Sequence, residues 1–314
     1  MKIMDFDTFV KELKMEVQSL VVEKYIVSVH CVLKVNRERR GITIKYKEVN
    51  MAPTIYLEDY YKEFQAGKSI FNIATEVVRI SQKDMGNARS FIADLQNYEW
   101  VMPRLRVKLI SREKNRRLLL DIPHEQFLDM AVVPYVVISQ DREFMATNVS
   151  YSLLKKWGIK KEKLMEEAKN NTLVFEPAKA ENMCSFIVNM MKDNDILNSN
   201  GIETDKIRKQ TSEQPFREAK MYVLTNEKKL NGAYAAFQVN VISELAEKLV
   251  EDRLYLLPSS THEIIALPTK GLDTDKLHSM VKSVNLTTVP PEDFLSDNVY
   301  GYNRLTNQIT IETD

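Results

Sequence analysis

Ser259, Ser260, Thr261, His262 and Glu263 form the one short run of this sequence in which hydroxyls, an imidazole and a carboxylate stand together. Those are the groups of nucleophilic catalysis: a hydroxyl attacks, a base takes its proton, and an acid orients the base. Their spacing argues the other way. Triad members usually arrive from three separate loops, and neighbours on an extended backbone point to opposite faces. Neither serine has a glycine-rich elbow around it. The plainer reading has the hydroxyls bonding turn backbone while His262 orders the loop. A cofactor-independent, hydrolase-like site built from Ser259 or Ser260 with His262 and Glu263 stands as the alternative.

Further along, the segment PPEDFLSDNVYGYNR offers Asp293, Asp297, Tyr300 and Tyr302. It is expected to fold over the Ser/His turn. The cleft so formed is the default binding site, lined by Ser259, Ser260, Thr261, His262, Asp297, Tyr300 and Tyr302. Metal binding is not expected. The histidines at 30, 124, 262 and 278 are scattered, with no paired ligand spacing. His262 and Glu263 would need Asp293 or Asp297 brought close to make a site. No cofactor is expected either. The chain has 8 glycines and no phosphate-cradling glycine motif.

A basic stretch is the other chemical candidate. Arg104, Arg106 and Lys108 alternate with Leu105, Val107 and Leu109, which predicts a half-buried strand with a cationic outer face. Arg112, Lys114, Arg116 and Arg117 follow, with Glu113 the one acid among them. Such a run can grip phosphate or an acidic partner, so nucleic-acid association is a second alternative. Lys+Arg and Asp+Glu balance at 44 each over 314 residues. That balance favours an ordinary solvated strand and turn. The aromatic row Tyr56, Tyr60 and Phe64, with Tyr61 alongside, reads as helix core or as a recognition face.

These groups need elements to hold them. Residues 254–257 and 264–267 are apolar β-formers on either side of the Ser/His turn and predict a buried hairpin. Phe6, Phe9, Val10, Leu13, Val17 and Leu20 recur at helical spacing behind a capping Asp5 or Asp7. Two strands, 25–35 and 41–49, are expected next, with the charged Arg37–Arg40 run as their tip. Three helices follow: one from Pro53 to Gly67, a second capped by Ser69, a third over 84–95. The second half predicts three hairpin-then-helix units in a row. Their hairpins are 135–138 with 144–147, 221–224 with 233–237, and 254–257 with 264–267. A final edge pair of strands falls at 300–302 and 308–311. A helical insertion over 159–192, burying Met183, Phe186, Ile187 and Met190, precedes a polar, pattern-poor stretch at 193–218, the expected mobile loop.

The fold class is therefore α+β: an N-terminal α/β segment, then an antiparallel sheet of hairpin–helix units with helices on one face. The expected domains are 1–128 and 129–314. Cys31 and Cys184 are far apart, which fits a reducing compartment. Met1–Lys14 reads as a helix start and not as a secretory leader, and no apolar run reaches membrane-spanning length. A cytoplasmic protein is expected.

Five segments carry a resemblance: APTIYLEDYYKEF (52–64), WGIKKEKLMEEAKNNT (157–172), MYVLTN (221–226), LPSSTHEIIALP (257–268) and PEDFLSDNVYGY (291–302). In these the chain resembles domain-of-unknown-function family 5688 (DUF5688), which implies a protein of anaerobic Gram-positive bacteria. The hairpin–helix order of the second half is also distantly similar to family 1444 (DUF1444). Neither family has an activity to carry over. The functional expectation is a non-catalytic module that binds an unidentified protein or small molecule, with no membrane role and with nucleic-acid association through Arg104–Arg117 as the second alternative.

Overall fold

The computed structural model describes residues 4–47, 54–139, 144–193 and 221–312. The expected mobile loop at 193–218 lies almost wholly outside them. The chain forms two compact units, Met1–Val101 and Met102–Asp314.

In the first unit, helix α1 (Phe6–Leu20) begins where Asp5 accepts the Thr8 N–H at 2.8 Å, satisfying an otherwise orphaned donor. Strands β1 (Tyr25–Lys34) and β2 (Arg37–Tyr46) pair without a break, and the two-residue β3 (Ile55–Tyr56) adds beside β2. Helices α2 (Glu58–Gln65), α3 (Ile70–Gln96) and α4 (Tyr98–Val101) complete the unit. Phe9, Leu13 and Val17 of α1, Ile42 of β2, and Ile73 and Val77 of α3 are fully buried together. Each such side chain contributes roughly 1.5–3 kcal/mol over leaving it in water.

Three expectations change here. Arg37–Arg40 is not a hairpin tip but the start of β2, because Asn36 takes the left-handed conformation (φ 61°) and turns the chain two residues earlier. Ile55 and Tyr56 are strand, not helix. The two helices expected over 70–95 are one continuous helix, and Gly86 does not interrupt it. Of the aromatic row, Tyr61 and Phe64 pack on Phe9 with ring centroids 5.3 and 5.2 Å away, while Tyr56 lies under Lys34 and Arg39.

The second unit is built on two antiparallel sheets. In the first, β6 (Met130–Ser139) is central. Strand β4 (Leu105–Ser111) lies on one side of it, with β5 (Glu125–Phe127) and β7 (Met145–Asn148) on its other partnered side. Helix α5 (Tyr151–Trp157) follows, then α6 (Lys161–Phe175), whose Thr172 Oγ1 accepts the Val107 N–H at 2.8 Å and so covers a backbone donor of β4.

The six-stranded sheet runs β13-β12-β10-β11-β9-β8. Its members are β8 (Ala178–Asn182), β9 (Tyr222–Asn226), β10 (Arg253–Pro258), β11 (Ile264–Pro268), β12 (Tyr300–Asn303) and β13 (Gln308–Ile311). Helix α7 (Met183–Asp193) follows β8; α8 (Ala233–Ala236) and α9 (Val239–Leu249) separate β9 from β10; α10 (Thr274–Thr287) follows β11. Strand β10 is buried on both faces. Tyr255 and Leu257 pack with Leu277 and Val281 of α10, while Leu254 and Leu256 face the other way.

The hairpins at 130–148 and 253–268 form as expected, each followed by its helix, but in separate sheets. The middle unit does not form a hairpin: Ala233–Ala236 is helical, since an Ala-rich AYAA run favours helix over strand. In the insertion, β8 occupies the start of the expected helix, and Phe186 is buried while Ile187 and Met190 are exposed. The strand over Arg104–Leu109 lacks a cationic outer face. Arg106 is buried, and six of the seven residues of β4 (Leu105–Ser111) are inside.

Candidate functional site

Pro258 pairs with Ile264, which leaves Ser259–Glu263 as the five-residue loop between β10 and β11. Inside the loop, Ser260 Oγ donates to Glu263 Oε1 at 2.9 Å and accepts the His262 N–H at 3.0 Å. The acid therefore sits on the serine and not on the histidine. Ser260 and Thr261 are buried.

Two other segments close on the loop. The Thr261 N–H donates to the Asp293 carbonyl at 2.8 Å, and the Thr261 carbonyl accepts from the Ala233 N–H at 3.2 Å. Thr225 Oγ1 donates to the His262 carbonyl at 2.7 Å. Gly232 makes this approach feasible. A Cβ there would stand 2.5 Å from Thr225 Oγ1, 2.6 Å from the His262 carbonyl and 2.7 Å from the Asn226 nitrogen.

His262 is held at both ring nitrogens. Nδ1 lies 3.0 Å from the Asn231 backbone nitrogen, which can only donate, so Nδ1 is the acceptor. The neutral ring therefore carries its proton on Nε2, which donates to Asp293 Oδ1 at 3.1 Å. Neither nitrogen reaches a serine hydroxyl. The arrangement positions backbone; it does not assemble a nucleophile with its base.

The tail hydrogen-bonds to the loop at Asp293. Asp297 accepts from Asn285 Nδ2 at 2.8 Å, and the Tyr302 hydroxyl donates to Asn307 at 2.8 Å. Tyr300 donates to Asp129, whose carboxylate also accepts from Ser296 Oγ (2.7 Å) and Asn298 Nδ2 (3.0 Å). Burial, and then the Asp129 charge, push the Tyr300 hydroxyl far above its ordinary pKa. The expected lining thus divides between the loop and these other partners. Neither of the two cavities described next is lined by a residue of Ser259–Glu263.

One cavity, about 420 Å³, is an open depression bounded by Arg112, Glu113, Arg116 and Asp129. Arg112, Lys114, Arg116 and Arg117 are exposed, and Lys114 lies over the Phe294 ring. The other, also about 420 Å³, is a cleft with an orderly construction. Leu109, Val132 and Glu125 are consecutive cross-strand neighbours on β4, β6 and β5 and make its floor. Lys169 of α6, ion-paired with Glu125, stands on one side. Tyr234, Phe237, Gln238, Val239 and Asn240 line it from α8 and the start of α9, with Gln126 and Phe127 at the β5 rim. Phe127 and Phe237 meet edge to face at 5.4 Å. Burial, reinforced by Glu125, raises the Tyr234 hydroxyl to about 12. No sequence motif marks these residues; an aromatic at each of Phe127, Tyr234 and Phe237 was the one available signal.

A third cluster was also invisible in the sequence. Glu176, 3% exposed, lies 3.6 Å from both Arg106 Nε and Lys228 Nζ. The Arg106 guanidinium donates to the Pro103 and Leu105 carbonyls and lies 4.5 Å over the Phe175 ring, and its Nε–H has no hydrogen-bond acceptor. Burial lowers the Arg106 pKa against the opposing pull of Glu176. Burial, and then the Glu176 charge, push the Tyr135 hydroxyl far above its ordinary pKa against the opposing pull of Asn231, whose backbone N–H donates to His262 Nδ1. One member of the expected basic face thus belongs to the framework beneath the loop.

Among the described residues, no group of three or more His, Cys, Asp or Glu side chains is placed to hold a metal. Among them, too, no helix is long and apolar enough to cross a membrane. No curated protein and no solved structure matches the chain. The distant likeness to family 1444 is not shown. A profile of the family of unknown function DUF5688 does match, over residues 6–304, and by that whole-length match the chain belongs to DUF5688.

Proposed function

We propose that this chain is a non-catalytic binding module whose small-molecule site is the cleft between β5, α6 and the start of α9. The observation that carries this reading is the cleft's composition: an aliphatic floor, aromatic walls, amides at the rim and an ion pair on one side. That mixture suits a planar ligand of one or two rings bearing a polar substituent, with the rings desolvated and the substituent oriented at the rim. The Ser/His loop supports the non-catalytic half of the reading, since the Ser260 hydroxyl and both imidazole nitrogens are already engaged. The module would work in the cytoplasm: Cys31 is a free thiol in the open, which suits a reducing compartment.

Ligand-observed NMR with indole-3-acetate, benzoate and benzylamine tests the cleft. At least one of these should saturate with a Kd of about 0.1–1 mM, the strength expected of ligands with roughly ten non-hydrogen atoms. Asn240→Trp, which fills the rim from an exposed position, should weaken it about tenfold. If none binds more tightly than about 5 mM, or if Asn240→Trp changes nothing, the cleft is not the site.

A further inference from the structure

The strand register of the first unit separates charge in a way that the chain's overall neutrality conceals. Val27 pairs with Ile44 and Val29 with Ile42, and these four side chains face the helices. The opposite face of the hairpin must then carry Ile26, Ser28, His30, Val32 and Lys34 from β1, and Arg37, Arg39, Gly41, Thr43 and Lys45 from β2. Four of these ten residues are permanent cations, and none is a carboxylate. Tyr56 of β3, opposite Gly41, joins this face beneath Lys34 and Arg39. Arg39 is engaged by Glu58 and Asp59, which reach it from α2.

The edge of the sheet is a second, independent observation. Strand β1 runs ten residues with continuous register, no bulge and no proline, and it is an outer strand. Gln18 accepts the Val27 N–H from the far side, which fixes the direction of alternate backbone groups. The amides of Val29, Cys31 and Leu33 therefore also point away from β2. Among the described residues no partner meets them. Proteins ordinarily blunt such an edge with proline, a bulge or a covering loop, because it templates another strand.

We propose that β1 is a docking edge for an extended acidic segment of a partner protein, added as a further strand of this sheet. Backbone hydrogen bonds to Val29, Cys31 and Leu33 would supply affinity. Alternate partner side chains would fall on the two faces. Apolar ones lie beside the partly exposed Val29 and Leu33, and acidic ones lie on the side of Lys34, Arg37 and Lys45. The partner motif is thus a short alternation of acidic and apolar residues. This site is independent of the cleft.

The test uses the full chain and a fluorescein-labelled, acetylated heptapeptide alternating glutamate with valine, read by fluorescence anisotropy. Saturable binding with a Kd on the order of 10–100 µM at low salt is expected. N-methylating the peptide's alternate amides leaves its charge but removes its strand donors, and should weaken binding about tenfold or more. Lys34→Glu with Arg37→Glu should do the same, as should Cys31→Pro, which deletes an outward donor without touching the β1–β2 ladder. Circular dichroism confirms that each variant is folded. Equal binding of the N-methylated peptide, or no saturation below about 1 mM, overturns the proposal. Tighter binding of a labelled oligothymidylate would reassign the face to nucleic acid. Concentration-dependent dimerisation abolished by Cys31→Pro would reassign the edge to a second copy of this chain.

Discussion

The Ser259–Glu263 loop and the cleft of the second unit make opposite use of polar side chains. The loop holds residue types that resemble a catalytic set, yet the Ser260 hydroxyl, the His262 imidazole and backbone groups of the loop bond one another or the segments at 225–233 and 293. The cleft holds no suggestive set, yet it keeps aromatic and aliphatic surface around an open volume of about 420 Å³. Saturated polar groups are what a protein uses to fix its own shape. Open apolar surface with a few oriented polar groups is what it uses to receive something else. Residue type alone does not separate these uses; the partner of each donor and acceptor does.

The largest effect is expected at Gly232. If the loop is a lock, Gly232→Ala must push the His262 carbonyl and the Asn226 nitrogen from contacts of 2.6 and 2.7 Å, and both are backbone. A loss of about 3 kcal/mol or more is expected in urea unfolding. A loss below about 1 kcal/mol would mean that the loop yields easily and is no lock.

The cleft side is sharpened by pH. Tyr234 titrates at about 12 in the folded chain, against an ordinary value near 10. Above pH ~10 the unfolded chain releases this proton first, so the folded state holds more protons and stability falls as pH rises from 10 through 12. Below about pH 10 this contribution is fully present. The shift corresponds to about 2–3 kcal/mol at its full extent. Tyr234→Phe should therefore flatten the decline in unfolding free energy measured between pH 9 and 11.5. Parallel wild-type and variant curves would mean that the wall of the cleft is wet.

Much of the framework was legible because local chemistry and burial agree there. Asp5 and Ser69 cap their helices as expected, and the apolar runs flanking the Ser/His turn pair as a hairpin with Leu254–Leu257 inside. The failures have two causes, one local and one at long range. Arg37–Arg40 looked like a loop on charge, but one asparagine at positive φ decided where the chain turned. Alternation put Arg106 outside, but Glu176, 70 positions away and invisible to any local pattern, draws it in. The tail residues Asp297, Tyr300 and Tyr302 carry the right chemistry for a site, and each has another partner: Asn285 for Asp297, the distant Asp129 for Tyr300, and Asn307 in the adjoining turn for Tyr302. Function class stayed illegible because the cleft is assembled from β4, β5, β6, α6, α8 and α9 with no short motif among them.

A smaller effect is expected at His262. Replacing it with alanine strands the Asn231 N–H and the Asp293 carboxylate, each partly buried, and should cost about 2 kcal/mol. The same variant examines the rival reading directly. With p-nitrophenyl acetate as substrate, any slow background hydrolysis should survive His262→Ala unchanged once the fraction folded is matched. A fall of about a hundredfold would restore the loop as a catalytic centre and reverse the comparison.

The smallest expected effect is the most diagnostic. Asn240 is exposed at the rim of the cleft, in the first turn of α9. Asn240→Trp places a large ring over an opening and disturbs no buried group, so its effect on unfolding should stay within about 0.5 kcal/mol. A rigid packing defect would respond differently. Were the cleft an imperfect seam of the core, an added ring would fill it and stabilise the chain, since each buried methylene recovers roughly 0.8 kcal/mol. A near-neutral stability change together with lost probe binding identifies a receiving surface. A gain of more than about 1 kcal/mol would instead make the cleft a flaw in the packing, which no ligand need occupy.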